Sequence, residues 1–317
     1  MMKLRKTIIA LAGALLLAGL MSSGQGHPSV SHAAESGRMG AIAEPGLSTD
    51  GATLNQRISD WIGRLAEHEE FAAWKQAEYQ VYPLGPGMHG WLVLLTKGAE
   101  DVGYLVVSAT ETGEPILSEY GTGSQSLFSM NTLYSSLVQH ELIPSSVLPE
   151  QFEQWDRISI DRYYIHPMLA VWKVGISGEP NRYVDAKTGQ ILTIGDDEWR
   201  AQLSKFQNDP TAGIAGSVWQ PQPSVSAAEA FDPYYRIVWI THEPLDVSNP
   251  KQLLDWFADN VKMTYVSEWY DEAYLVPVAL TGYQIWDGIT TYVGFDQEGN
   301  RYVPFETLSR YGSFYEN

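Results

Sequence analysis

The chain contains no cysteine among its 317 residues, and this absence limits its fold more than any other feature of the sequence. A protein without cysteine has no disulfide, no thiolate nucleophile, no zinc–thiolate site and no iron–sulfur cluster. Its fold must therefore be stabilised by the burial of its side chains. With 44% hydrophobic residues, 11 tryptophans and 18 tyrosines, the chain is long and apolar enough to build one or two cores.

The N-terminus has the three regions of a secretory signal. The first six residues carry three cations and no acid, and residues 8–21 are an uninterrupted run of apolar residues and glycines. That run of 14 residues is shorter than the roughly 20 that a transmembrane helix needs. Because Ser31 and Ala33 are the small residues that a signal peptidase requires, we predict cleavage between Ala33 and Ala34 and a secreted or cell-envelope location. The alternative is an N-terminal anchor that is not cleaved.

The formal net charge of the chain is −18, and loss of the three signal-peptide cations makes that of the mature chain −21. A polyanion of this size is repelled by nucleic acid and by anionic lipid surfaces. We therefore expect no nucleic-acid partner. No segment after the signal peptide is apolar enough to span a membrane, so we expect no membrane span in the mature chain.

Hydrophobic periodicity predicts an α+β protein: a signal peptide followed by two small α+β units with antiparallel sheets. The predicted parts are a signal peptide at 1–33, a flexible tail at 34–50, a first domain at 51–195, a linker at 196–235 and a second domain at 236–317. The linker is predicted because its residues are largely Gly, Pro, Ser, Gln and Ala after an acidic start.

Within the first domain, helices are expected from residue 54 to about residue 75 and over 126–142, separated by hairpin strands. The second domain is expected to begin with a strand at 237–241. A helix at 250–261, capped by Asn249, and four strands should follow.

Two stretches of the first domain carry a family resemblance. Residues 103–108, Gly-Tyr-Leu-Val-Val-Ser, with the strand at 115–120, resemble the propeptides of streptopain-like cysteine peptidases. Residues 171–174 with 183–192 resemble the end of a PepSY-type domain. Such modules occur in exported bacterial proteins, in peptidase pro-regions and in proteins that restrain peptidases, so the resemblance implies a peptidase as partner. The peptidase's own cysteine nucleophile has no counterpart here, and the second domain resembles no family that we recognise.

Motifs for catalysis or cofactors are missing. Residues 85–90 match G-x-G-x-x-G, but a strand follows them instead of the helix that binds a pyrophosphate. No two histidines stand four residues apart as in a zinc-binding helix, and no G-x-S-x-G is present. The acidic run at 196–198 lacks the spacing of a calcium loop and indicates a solvated surface. We therefore predict no catalytic, cofactor-binding or metal-binding residue from motifs, and no cofactor.

Four residues of the second domain are binding candidates. His242 is the best single residue for acid–base chemistry because it follows a predicted strand. Trp269, Tyr270 and Trp286 belong to an aromatic-rich stretch that, if exposed, would form a platform for a sugar or a peptide. The alternative interpretation is that His242 lies in an ordinary loop and that the aromatic residues form the core.

These observations favour an exported, non-catalytic binding protein that restrains or partners a secreted peptidase or binds another envelope protein. The second hypothesis is an extracellular hydrolase that uses carboxylates or His242 beside an aromatic-lined substrate site. An envelope-scaffold role is the third.

Overall fold

The computed structural model describes residues 53–85, 88–110, 113–207, 225–226, 228–270 and 273–317. Within these residues the chain is a mixed α+β fold in which every strand pair is antiparallel. This confirms the predicted α+β class with antiparallel sheets. The predicted signal peptide with its cleavage site at Ala33 and Ala34, the tail and part of the predicted linker lie outside the described residues.

The helices and strands are distributed along the whole described chain. The first group is α1 (Leu54–Leu65), a 3₁₀ helix (Glu69–Gln76), β1 (Glu78–Pro83), β2 (Gly90–Lys97), β3 (Glu100–Ala109), β4 (Pro115–Thr122), α2 (Met130–Gln139) and α3 (Pro149–Phe152). The second group is β5 (Ile158–His166), β6 (Leu169–Ile176), β7 (Arg182–Asp185), β8 (Ile191–Leu192), α4 (Asp196–Gln207), β9 (Val225–Ser226), a 3₁₀ helix (Pro233–Tyr235) and α5 (Val238–Thr241). The third group is α6 (Pro250–Ala258), β10 (Met263–Trp269), β11 (Tyr274–Trp286), β12 (Thr290–Asp296), β13 (Asn300–Pro304), α7 (Phe305–Tyr311) and β14 (Gly312–Glu316).

Helix α1 begins where the sequence predicts and ends earlier. The Thr53 side chain accepts a hydrogen bond from the backbone N–H of Gln56, whose side chain accepts one from the N–H of Thr53. The helix ends at Leu65, and a 3₁₀ helix follows it. Residues three apart eclipse one another in a 3₁₀ helix, so Phe71 and Trp74 both reach the core that α1 covers.

Ten strands form one sheet, whose order follows the chain in one half and runs backwards in the other. Nine strands follow one another in the order β1-β2-β3-β4-β13-β12-β11-β10-β14, and the tenth, β9, also pairs with β11. The two halves meet where β4 pairs with β13, with Tyr120 opposite Tyr302 and Gly121 opposite Arg301. We call this β4–β13 pair the seam. It joins strands of both predicted domains in one sheet, and the limits 51–195 and 236–317 as separately folding units stay a prediction.

The two faces of the large sheet are covered by different elements. On the face that we call outer, Leu105 and Val107 pack with Trp61 of α1. On the opposite, inner face, Tyr104 and Val106 pack with residues of β6 and α2. In the other half of the sheet α6 packs on the inner face, in one cluster with strands β10 to β13. The helices that precede the two halves therefore lie on opposite faces.

A four-stranded sheet, in the order β5-β6-β7-β8, is buried on both of its faces. Trp172 and Val184 pack toward β2, β3 and α2. Val171 and Tyr183, on the other face, pack toward β10 to β13 and α4. This small sheet therefore contacts the inner face of both halves of the large sheet.

Two secondary-structure predictions in the second half are wrong. The predicted linker begins with α4, in which Trp199 is buried. The strand predicted at 237–241 is the short helix α5; only Val238 of these residues is buried, without the alternate burial of a strand. The predicted helix at 250–261 is confirmed as α6, and Asn249 caps it by accepting from the N–H of Gln252.

Candidate functional site

His242 lies on the surface at the C-terminal end of α5. Its Nδ1 is 2.8 Å from the hydroxyl oxygen of the neighbouring Thr241. Among the described residues no carboxylate forms an ion pair with its ring. The arrangement is that of an exposed loop histidine, which was one of the two interpretations of the sequence.

Trp269 and Tyr270 stand at the end of β10, on the side of the sheet that faces the small sheet. Trp269 is buried and donates a hydrogen bond from Nε1 to the hydroxyl of Ser267 at 2.9 Å. Tyr270 is half-buried, packs edge-on against Tyr274 at 5.9 Å, and has a pKa raised chiefly by burial. Both contribute to the core that lies against strands β10 to β13.

Trp286 lies in a different cluster, on the outer face beside the seam. Its side chain is fully buried, and Nε1 donates to the hydroxyl of Tyr120 at 3.0 Å. Tyr120 in turn stacks on Tyr302 across the seam, with ring centroids 5.1 Å apart. The structure thus places Trp269 and Tyr270 in one core cluster, Trp286 in another and His242 on the surface, and does not bring the four to one surface.

A buried ion pair lies on the inner side of the seam, and motif searches could not find it. Glu119 of β4 and Arg301 of β13 are 0% and 2% exposed. Arg301 donates to Glu119 Oε1 from Nε at 2.9 Å and from Nη2 at 2.6 Å, and from Nη2 to the carbonyl oxygen of Pro167 at 2.7 Å. The signal in the sequence is a charged residue inside each of two apolar strands, since such residues are buried only when paired.

Two tyrosines complete the shell of this carboxylate. Tyr104 donates to Oε1 of Glu119, and Tyr164 donates to Oε2 at 2.8 Å. Burial raises the pKa of both phenols well above its ordinary value, so they remain protonated donors. Burial alone would lower the pKa of Arg301, but the Glu119 carboxylate raises it. The glycine at 121 lets this packing form, since a Cβ there would lie 2.6 Å from the Tyr104 ring.

Lys187 joins three segments beside this ion pair. Its Nζ donates to the carbonyl oxygens of Gln125 and, at 3.0 Å, of Glu298. Burial, and after it the charge of Arg301, lowers the pKa of Lys187 to about 8. The polar side chains at the seam are therefore enclosed, and each has hydrogen-bond partners within the protein, which is the arrangement of a structural network.

A second buried polar residue, His166, lies between two aromatic rings. Its ring centroid is 4.2 Å from that of Trp269 and 4.1 Å from that of Tyr311, which is nearly parallel to it. Nδ1 accepts the backbone N–H of Met168 at 3.2 Å, and Nε2 is buried with no hydrogen-bond partner among the described residues. Burial, then the charge of Arg301, lowers its pKa well below the ordinary value.

A pocket of about 420 Å³ opens between the end of α2, the start of β5 and the end of β6. Trp155 and Arg157 line it, with the guanidinium 5.7 Å from the centre of the indole ring. Glu141 and Glu179 line it as well, so it carries both signs of charge. Its chemistry suits a polar segment of a partner and offers no grouped acid and base.

The largest concentration of exposed apolar side chains lies elsewhere, in the segment Pro233–Thr241. Of the six large apolar side chains that the described part of the chain exposes, four belong to this segment. They are Tyr234, Tyr235, Ile237 and Ile240. Val238, in contrast, is buried against Val266 of β10, so the segment is fixed to the outer face of the large sheet. Residues 237–241, which the sequence predicts as a strand, fall within this segment.

Two further findings concern the described residues as a whole. None of their helices has the length and apolarity needed to cross a membrane. In the same residues no three histidine, aspartate or glutamate side chains are grouped so that they could hold a metal ion.

Comparisons with protein-family models, with curated proteins and with solved structures find no match to this chain.

Proposed function

We propose that this protein is an exported, non-catalytic binding protein that engages a secreted peptidase or another protein of the cell envelope. One observation carries the proposal: the exposed apolar side chains are concentrated in one short segment that is fixed to the sheet. Exposed apolar side chains clustered in this way mark interaction sites.

The chemistry of the polar residues supports the same proposal. The group with the most carboxylate, guanidinium and phenol side chains, around Glu119 and Arg301, is enclosed and fully bonded. A general acid or base must reach its substrate within hydrogen-bond distance. The alternative, a hydrolase that uses His242, receives no support from its surroundings, where Thr241 is the neighbour that bonds the ring.

The choice of a peptidase as partner rests on the propeptide-like and PepSY-like stretches of the sequence. Residues 103–108 and 115–120 fall on β3 and β4, and residues 171–192 fall on β6 to β8. These strands lie in the buried sheets, so the resemblance concerns the scaffold and leaves the contact surface open.

The test uses the purified mature chain with casein, and separately with secreted cysteine and serine peptidases such as papain and subtilisin. We expect no casein cleavage, and we expect a stable complex with, or slower substrate turnover by, at least one peptidase. Bovine serum albumin at the same concentration controls for competition by any added protein. Casein cleavage that persists through further purification contradicts the non-catalytic proposal, while unchanged rates and no complex across the panel contradict the peptidase partner.

A further inference from the structure

We infer that the segment Pro233–Thr241 is the docking surface for a protein partner that presents apolar residues with a basic rim. The inference rests on the proposed function and specifies the chemistry of its partner. Tyr235 is 88% exposed, and Tyr234, Ile237 and Ile240 are 41%, 43% and 46% exposed. A soluble protein gains nothing in stability from leaving these side chains in water.

The segment is held in place from beneath, so it is organised before a partner arrives. Val238 packs with Val266 and Tyr315 on the outer face of β10 and β14. The Asp232 side chain accepts the backbone N–H of Tyr234 at 2.9 Å. Because its backbone is already ordered, docking loses little conformational entropy.

The composition of the segment is that of the centre of an interface. Tyrosine and arginine are enriched among the side chains that contribute most to protein–protein binding, and the segment exposes both, with Arg236 between Tyr235 and Ile237. The ring of Tyr234 packs edge-on against Trp239 at 5.7 Å, which restricts one tyrosine and leaves the other free to insert.

The charges around the segment indicate the sign of the charge that its partner carries. Four exposed carboxylates flank it along the chain, and none of the four forms an ion pair among the described residues. They belong to Glu229, Asp232, Glu243 and Asp246. The cations close to the segment are the guanidinium of Arg236 and the ammonium of Lys262, which lies 5.8 Å from the centre of the Phe231 ring. The excess of carboxylates is complementary to a basic rim on the partner. A second copy of this chain, with its formal charge of −18, and an anionic vesicle would both be repelled.

The test selects phage-displayed random peptides on the immobilised mature chain and titrates the enriched peptides as synthetic ligands. Tyr235→Ser and Ile240→Ser remove apolar area from the segment, and Ile289→Ser is the matched control because Ile289 is 81% exposed outside it. We expect peptides with apolar residues flanked by Lys or Arg. Their Kd should rise at least about tenfold in Tyr235→Ser and change less than about twofold in Ile289→Ser. Binding should weaken as salt is added, and Glu243→Gln should slow association.

The contrary outcomes are distinct. Peptides or peptidases that bind the mature chain and both segment variants equally overturn the docking surface and leave the proposed function in place. A chain that enriches no peptide and binds no peptidase overturns both. Four results would overturn a partner with a basic rim. Two concern the peptides: enrichment of peptides without cations, and binding that does not depend on salt. The other two are self-association in sedimentation equilibrium and binding to zwitterionic vesicles that Tyr235→Ser abolishes.

Discussion

Replacement of Arg301 by methionine should destabilise the protein by about 3–5 kcal/mol, the cost of breaking a buried ion pair by removing one partner. Methionine retains much of the length of the arginine side chain but none of its donors. The substitution removes two hydrogen bonds to Glu119, one to the carbonyl oxygen of Pro167 and one to the Gln297 side chain. Hydrogen bonds to charged groups contribute about 1.5–3 kcal/mol each, and the donors Tyr104 and Tyr164 remain on the carboxylate. The loss should therefore stay below the full value of four such bonds.

The assay is equilibrium unfolding in urea, followed by tryptophan fluorescence and far-ultraviolet circular dichroism. The matched control is Lys251→Met, which breaks an ion pair with Asp255 of 2.7 Å whose side chains are 82% and 61% exposed. That exposed pair should contribute less than about 1 kcal/mol. Glu119→Gln combined with Arg301→Met should cost less than the sum of the two single changes, because the second removes a charge already left unpaired. An Arg301→Met loss no larger than that of Lys251→Met would refute the reasoning.

Three further predictions concern acid stability, chain cleavage and export. The folded-state pKa of His166 lies below its ordinary 6.5, so the unfolded chain binds the proton first. As the pH falls from 6.5 toward the folded-state pKa, the free energy of unfolding should therefore decrease by about 1.4 kcal/mol per pH unit. Urea titrations across pH should show this slope reduced in His166→Asn relative to wild type, with His89→Asn as the control at an exposed histidine; equal slopes in all three would contradict it. Brief proteolysis should cut between residues 200 and 230, where Pro, Ser and Gln offer little apolar surface. The fragments should remain together in size-exclusion chromatography because β4 pairs with β13, and their separation in native buffer would count against a shared sheet. N-terminal sequencing of the extracellular protein should begin at Ala34, whereas an intact Met1 on a membrane-bound species would indicate an anchor.

Local signals predicted most of the hairpins and three of the helices, α1, α2 and α6. Strands β3 and β4 pair as expected, and Gly113, shortly before β4, has a φ of 84°. Asn249 and Pro250 mark the start of α6. These elements were predictable because their turn and cap residues act within a few positions along the chain.

The seam was not predictable, because its partners are far apart in the sequence. Nothing near Glu119 indicates that its charge is compensated by Arg301, and nothing near β4 indicates that its neighbour is β13. The helix α4 was missed for a related reason: it is polar apart from Trp199 and a few half-buried residues, so its position depends on the core that it covers. The segment 237–241 has strand-forming residues, but it forms the short helix α5, whose Val238 packs on Val266 and Tyr315 of distant strands.

The reversal of strand order at the seam has a consequence for stoichiometry. The large sheet consists of two meanders fused edge to edge, yet α1 lies on its outer face and α6 on its inner face. The two ends of the outer face are therefore different: a helix closes one, and the other carries the exposed segment. A protein with two equivalent ends would link its partners into chains. Among the described residues, four of the six exposed large apolar side chains lie at this one end, so a complex built on the segment should contain one partner for each chain.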